Sequence, residues 1–239
     1  MRHVFVMSLS GLLLFSTQAS AQQTRPSRQA DNTSSRDIRD PRMTGAVLRD
    51  RFERERYLQN PRASALQYGN SLQTAKCIVR ISGDRAASLV GGADTPDPRY
   101  AKLNSAMNGR LKACARDGVD GMSPSVLSSA IAERLIVQDN GLQDRADGVD
   151  SSQAQAFHGD LKGSTEIAGI ARCVAVYSPG LARKVMETEV GSAAEGSALE
   201  AAYTQTPECG VTRTPTNIAA SFQRAALADG LFKWKQRGR

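Results

Sequence analysis

The sequence predicts an all-α protein made by tandem duplication of a short four-helix unit, each copy closed by one internal disulfide. Three observations carry that prediction: an export-type N-terminus, two cysteine pairs of nearly equal spacing, and flanking residues that recur at a constant offset. With 239 residues, 40% hydrophobic and 23% charged, the chain has enough apolar material for one or two compact domains.

The first element is a targeting segment. Met1-Arg2-His3 is a short basic start, Val4 to Phe15 is mostly apolar, and Ala19-Ser20-Ala21 fits the small-x-small pattern of signal-peptide cleavage. Ser8, Ser10 and Gly11 interrupt the apolar run, which is shorter than the roughly 20 residues a membrane span needs. The mature chain is therefore expected to begin at Gln22 and to be periplasmic or secreted. No cysteine precedes Cys77, which excludes a lipid-anchored cysteine directly after cleavage, and no later segment is apolar enough to cross a bilayer.

Gln22 to Asp40 is polar, with Pro26 and several Ser and Arg, and reads as a disordered tether. Over 43–59, Leu48 and Phe52 share a face while Arg49, Asp50, Arg51, Glu53, Arg54, Glu55 and Arg56 form a charged, self-paired helix that stops before Pro61. Repeat 1 is then placed at 61–145. Residues 146–239 hold a polar linker, repeat 2 and a basic tail.

Export makes the four cysteines candidates for pairing, and spacing alone leaves three connectivities open. The flanks choose among them. Ala75-Lys76-Cys77-Ile78-Val79 matches Ala171-Arg172-Cys173-Val174-Ala175 at an offset of 96, which also aligns Ser82 with Ser178, Ala86 with Ala182 and Leu103 with Leu199. Length changes then fall between elements, so that Pro124 aligns with Pro215 and the two pairs become Cys77–Cys114 and Cys173–Cys209. Each closed loop contributes roughly 4 kcal/mol in the chain-entropy account.

Helices follow from three- and four-residue apolar steps. In the second copy Ile167, Ile170, Ala171, Val174 and Tyr177 make the first helix, although Cys77-Ile78-Val79 and Val174-Ala175-Val176 are short enough to be strands. Ser178-Pro179 restarts a second helix through Ala182, Val185 and Met186, ended by Gly191. Leu199, Ala202 and Tyr203 carry the third. The fourth has Ile218, Phe222 and Ala225 on one face, matched by Leu127, Ile131 and Arg134 or Leu135, with Ser123-Pro124 and Thr214-Pro215 read as N-cap and first helical residue.

This doubled pattern of Ala-Lys/Arg-Cys-apolar, a Ser-bounded restart, a second Cys about 36 residues on and a hydroxyl-Pro-capped last helix resembles secreted alphaproteobacterial proteins of no known activity, over Leu66 to Leu231. The resemblance implies an exported helical repeat and carries no catalytic motif.

Charge is concentrated at the ends. Residues 22–62 hold ten Arg against six acids, and 232–239 hold two Lys and two Arg with no acid, whereas 63–231 has sixteen basic and eighteen acidic residues. Lys233, Trp234, Lys235, Arg237 and Arg239 place the single tryptophan among cations, a composition suited to anionic headgroups or polyanions. Repeat 1 is net positive and repeat 2 net negative, which predicts docking between them or onto a second copy of the chain.

Catalytic chemistry has little to work with. There is no G-x-S-x-G, His158 is the only histidine of the predicted mature chain, and no C-x-x-C or Cys/His spacing suits redox or zinc chemistry. Asp144, Asp147-Gly148 and Asp150 lack the spacing of a calcium loop, and Gly91-Gly92 and Gly118 to Gly121 lack the Lys of a phosphate loop. Glu166, Glu187, Glu189, Glu195, Glu200 and Glu208 supply carboxylates for glycan cleavage without a pattern that selects two of them. The expected function is non-enzymatic binding or support in the cell envelope, with no cofactor, metal or specific nucleic acid. The expected partner is an envelope protein or anionic polymer, with contact at a membrane surface as a further option. Glycan cleavage by paired glutamates is the alternative.

Overall fold

Asn60 caps the first described helix by accepting a hydrogen bond from the Ala63 amide at 3.0 Å, with Pro61 at the first helical position. The computed structural model describes residues 60–91, 98–115, 123–138, 141–159 and 166–238. The expected signal peptide over 1–21, the tether to Asp40, the charged helix over 43–59 and Arg239 lie outside the described residues.

Among those residues the regular elements are all helical: α1 (Pro61–Ser82), α2 (Pro98–Asn108), α3 (Pro124–Val137), α4 (Ser151–His158), α5 (Ile167–Tyr177), α6 (Pro179–Glu187), α7 (Ala193–Thr204) and α8 (Ala220–Arg237), with 3-10 turns at Gly83–Leu89, Lys112–Cys114 and Pro207–Cys209. The runs at 77–79 and 174–176 are helical, within α1 and in the last turn of α5, where Ile78, Val174 and Val176 are fully buried. Their surroundings are other helices, so packing decides the conformation that propensity leaves open.

The disulfides are Cys77–Cys114 and Cys173–Cys209, with Cα separations of 5.6 and 5.7 Å. Both join the first helix of a unit to the 3-10 turn that follows its third helical element. The larger packing repeats as well: α3 lies on α1 as α8 lies on α5. The two units do not keep separate interiors. Tyr68, Leu72, Leu127 and Ile131 belong to the same buried cluster as Ile170, Val174, Leu227 and Leu231, and α8 also packs on α3.

That inter-unit contact encloses a charged network. Arg224, 2% exposed, donates from Nη2 and Nε to Glu133 at 2.8 and 2.9 Å and from Nη1 to Glu195 at 3.1 Å. It also donates to the carbonyls of Met186 and Thr188, while Tyr68 donates to Glu133. Burial works against the charge of Arg224, and the hydrogen bonds and charge of Glu133 outweigh it, so the guanidinium is held above its ordinary range. In the register that aligns Pro124 with Pro215, Glu133 and Arg224 occupy equivalent positions of the two copies. The pair has the acid in the net-positive unit and the base in the net-negative one.

Four expectations need correction. The second element of repeat 1 is a 3-10 segment rather than an α-helix. Thr214-Pro215 does not start α8, which begins at Ala220 because the Gln223 amide donates to the Pro215 and Ile218 carbonyls and holds 215–218 in a turn. Gly191 lies past the end of α6, at φ +78° in the turn to α7. The linker contains α4, capped by Asp150, whose carboxylate accepts the Ser152 and Gln153 amides and is held below the usual range first by the Ser152 hydroxyl.

Candidate anion-binding cleft

The basic tail is not a separate segment. Residues 232–237 continue α8, with Phe232 in the core and Trp234 half-buried. Trp234 packs on Phe157 of α4, ring centroids 5.2 Å apart, and the Arg237 guanidinium sits 4.8 Å over the same Phe157 ring. Phe157 is buried with Ala154 and Val176 in a small second cluster, so the short helix of the linker anchors the end of the last helix.

This anchoring shapes a cleft of about 310 Å³ lined by Arg99, Phe157, Arg172, Phe232, Lys233, Gln236 and Arg237. Arg99 comes from α2, Arg172 from α5, Lys233 and Arg237 from adjacent turns of one face of α8. The lining holds four cations and no carboxylate among the described residues. Beneath it Asp229, 5% exposed, accepts from Lys233 Nζ at 2.8 Å. Burial pushes the Asp229 carboxyl above the usual carboxylate range, against the pull of Lys233, Arg172 and Arg99. Such an arrangement can receive an anion on bidentate guanidinium donors with an aromatic wall beside them.

Of the residues expected at an anionic surface, Lys233 and Arg237 line the cleft; Trp234 packs on its Phe157 wall without lining it, Lys235 is outside the lining, and Arg239 lies beyond the described residues. Arg99, Arg172, Phe157 and Gln236 were not singled out by the sequence, and only the basic residue preceding Cys173 gave any signal at Arg172.

The glutamates are dispersed. Glu208 pairs with Arg145 and is held low chiefly by that hydrogen bond. Glu195 accepts from Arg224 and the Gly191 amide. Glu200 is exposed on α7, and Glu166 takes the N-cap position of α5. Glu187, paired with Arg183, and Glu189 both line a larger cleft of about 830 Å³ that has Glu133 and Arg224 among its walls. Asp144 pairs with Lys184 and Asp150 caps α4; no group of three or more potential metal ligands occurs among the described residues. His158 ends α4, with Nδ1 2.7 Å from the Gly159 carbonyl. No helix of the described residues is long and apolar enough to cross a membrane.

Comparison with known proteins returns no matching family model, no matching curated protein and no matching solved structure.

Proposed function

We propose that the protein is exported and acts without catalysis, binding an anionic component of the cell envelope through the cleft at the end of α8, with the disulfide-stapled body as a rigid platform. The observation that carries this reading is the convergence of Arg99, Arg172, Lys233 and Arg237 from three helices onto one 310 Å³ space. Like charges held together repel. The buried carboxylate of Asp229 offsets part of that repulsion, and a bound anion would offset more.

Export is supported by the sequence pattern over 1–21 and by two disulfides, bonds that persist in oxidising compartments. The test is co-sedimentation of the full mature chain with purified envelope at low and high salt. Binding at low salt that fades at high salt is expected. Absence of sedimentation at both salts would remove the reading.

One observation favours the alternative, glycan cleavage: Glu187 and Glu189 share the larger cleft. Release of soluble fragments from purified cell wall, abolished by Glu189→Gln, would put that reading first.

A further inference from the structure

We infer that the cleft is a phosphate-ester site in which Asp229 serves as a resident counter-ion; the inference rests on the anion-binding reading and narrows its ligand. Three guanidinium groups and one ammonium line the space. A phosphomonoester near neutral pH carries between about 1.5 and 2 negative charges on three oxygens. A carboxylate offers one charge in one plane, so donors arriving from α2, α5 and two turns of α8 are better filled by the tetrahedral group.

Size points the same way. About 310 Å³ lies at the small end of ligand clefts, enough for one phosphate-bearing headgroup. Phe157 and Phe232 offer apolar surface to its organic part and Gln236 an amide. Arg237 is held over Phe157 through the ring face, a contact that uses none of its N–H donors in a hydrogen bond.

Asp229 completes the arrangement. Its buried carboxylate, bonded to Lys233 and within electrostatic reach of Arg172 and Arg99, keeps the cations together when no ligand is bound. It also opposes an incoming anion. Neutralising it by Asp229→Asn therefore tightens anion binding, whereas removing a lining cation weakens it.

Trp234, the only tryptophan, reports on the site because it packs against Phe157. The oxidised mature chain is titrated with inorganic phosphate, a sugar phosphate and acetate, and with phosphatidic acid vesicles against phosphatidylcholine vesicles, followed by Trp234 emission and by calorimetry. Saturable binding of the phosphate compounds over acetate is expected, about tenfold weaker in Arg99→Gln and Arg172→Gln and several-fold tighter in Asp229→Asn. Arg237→Gln, at an exposed position in the last turn of α8, provides a third loss-of-charge variant. Lys76→Gln, on the exposed side of α1, keeps wild-type affinity. A response to the soluble ester identifies a free phosphate compound and a response to phosphatidic acid vesicles alone identifies a lipid headgroup; either supports the inference. Binding of acetate with no saturable phosphate binding overturns the phosphate assignment and leaves general anion binding standing. Failure to bind any of these anions removes both, and equal weakening in Lys76→Gln overturns the site.

Discussion

Replacing Arg224 by Met removes the one cation that, among the described residues, pairs with two buried carboxylates. Glu133 and Glu195 are 2% and 0% exposed, and Arg224 gives them three hydrogen bonds between 2.8 and 3.1 Å. Removing one partner of a buried ion pair costs about 3–5 kcal/mol, because the remaining charge keeps its desolvation penalty. Here two carboxylates and the Met186 and Thr188 carbonyls lose their donor together, which puts the cost at the upper end, about 5 kcal/mol. Native proteins typically have roughly 5–15 kcal/mol of stability, so a loss of this size is a large fraction of the total and is resolved by urea unfolding run beside the wild type. The midpoint should fall with the slope unchanged. Arg224→Met combined with Glu133→Gln and Glu195→Gln should recover more than half of the loss, since the uncompensated charges are gone. A loss below about 1 kcal/mol, or a triple variant no better than the single one, would refute the assignment of the penalty to stranded charge.

Two further predictions concern the contacts that residues 143–145 make with repeat 2. Gly180→Ala should destabilise by about 1–3 kcal/mol, because the Gly180 amide bonds the Gln143 carbonyl at 2.8 Å and a Cβ would come 2.5 Å from that oxygen; a melting temperature within error of wild type would contradict this close approach. Glu208, held low by Arg145, contributes stability that is present above its unfolded pKa and lost as pH falls through its lower folded value. Glu208→Gln should thus weaken the chain slightly at neutral pH, by under about 1 kcal/mol for a surface pair, and match wild type in strong acid; an equal deficit at both pH values would sink the linkage.

Much of the fold was legible because its constraints are local or repeated. Cys77, Cys114, Cys173 and Cys209 sit in flanks similar enough to assign both bonds, and the stripe from Ile167 to Tyr177 contains its own helix. What escaped depends on partners distant in the chain. Helix α4 buries only Ala154 and Phe157 in eight residues, too little for a periodicity to show, and its cap Asp150 looks like any linker acid. Thr214-Pro215 has the composition of a helix start, but Gln223 one turn inside α8 binds the carbonyls before it. The cleft was legible only in its α8 half, Lys233 and Arg237. Arg99 and Arg172 join them through the packing of α2 and α5, which no spacing encodes. The Glu133–Arg224 pair did leave a trace: opposite charges at equivalent positions of the two copies, flanked by core residues.

The proposed organisation is one helical unit copied in tandem, each copy closing its own disulfide after export. Non-reducing peptide mapping of the protein recovered from envelope fractions tests it directly. The result predicted is a mature N-terminus at Gln22 with Cys77 joined to Cys114 and Cys173 to Cys209. Free thiols, a bond between the copies, or a chain that retains residues 1–21 would contradict it.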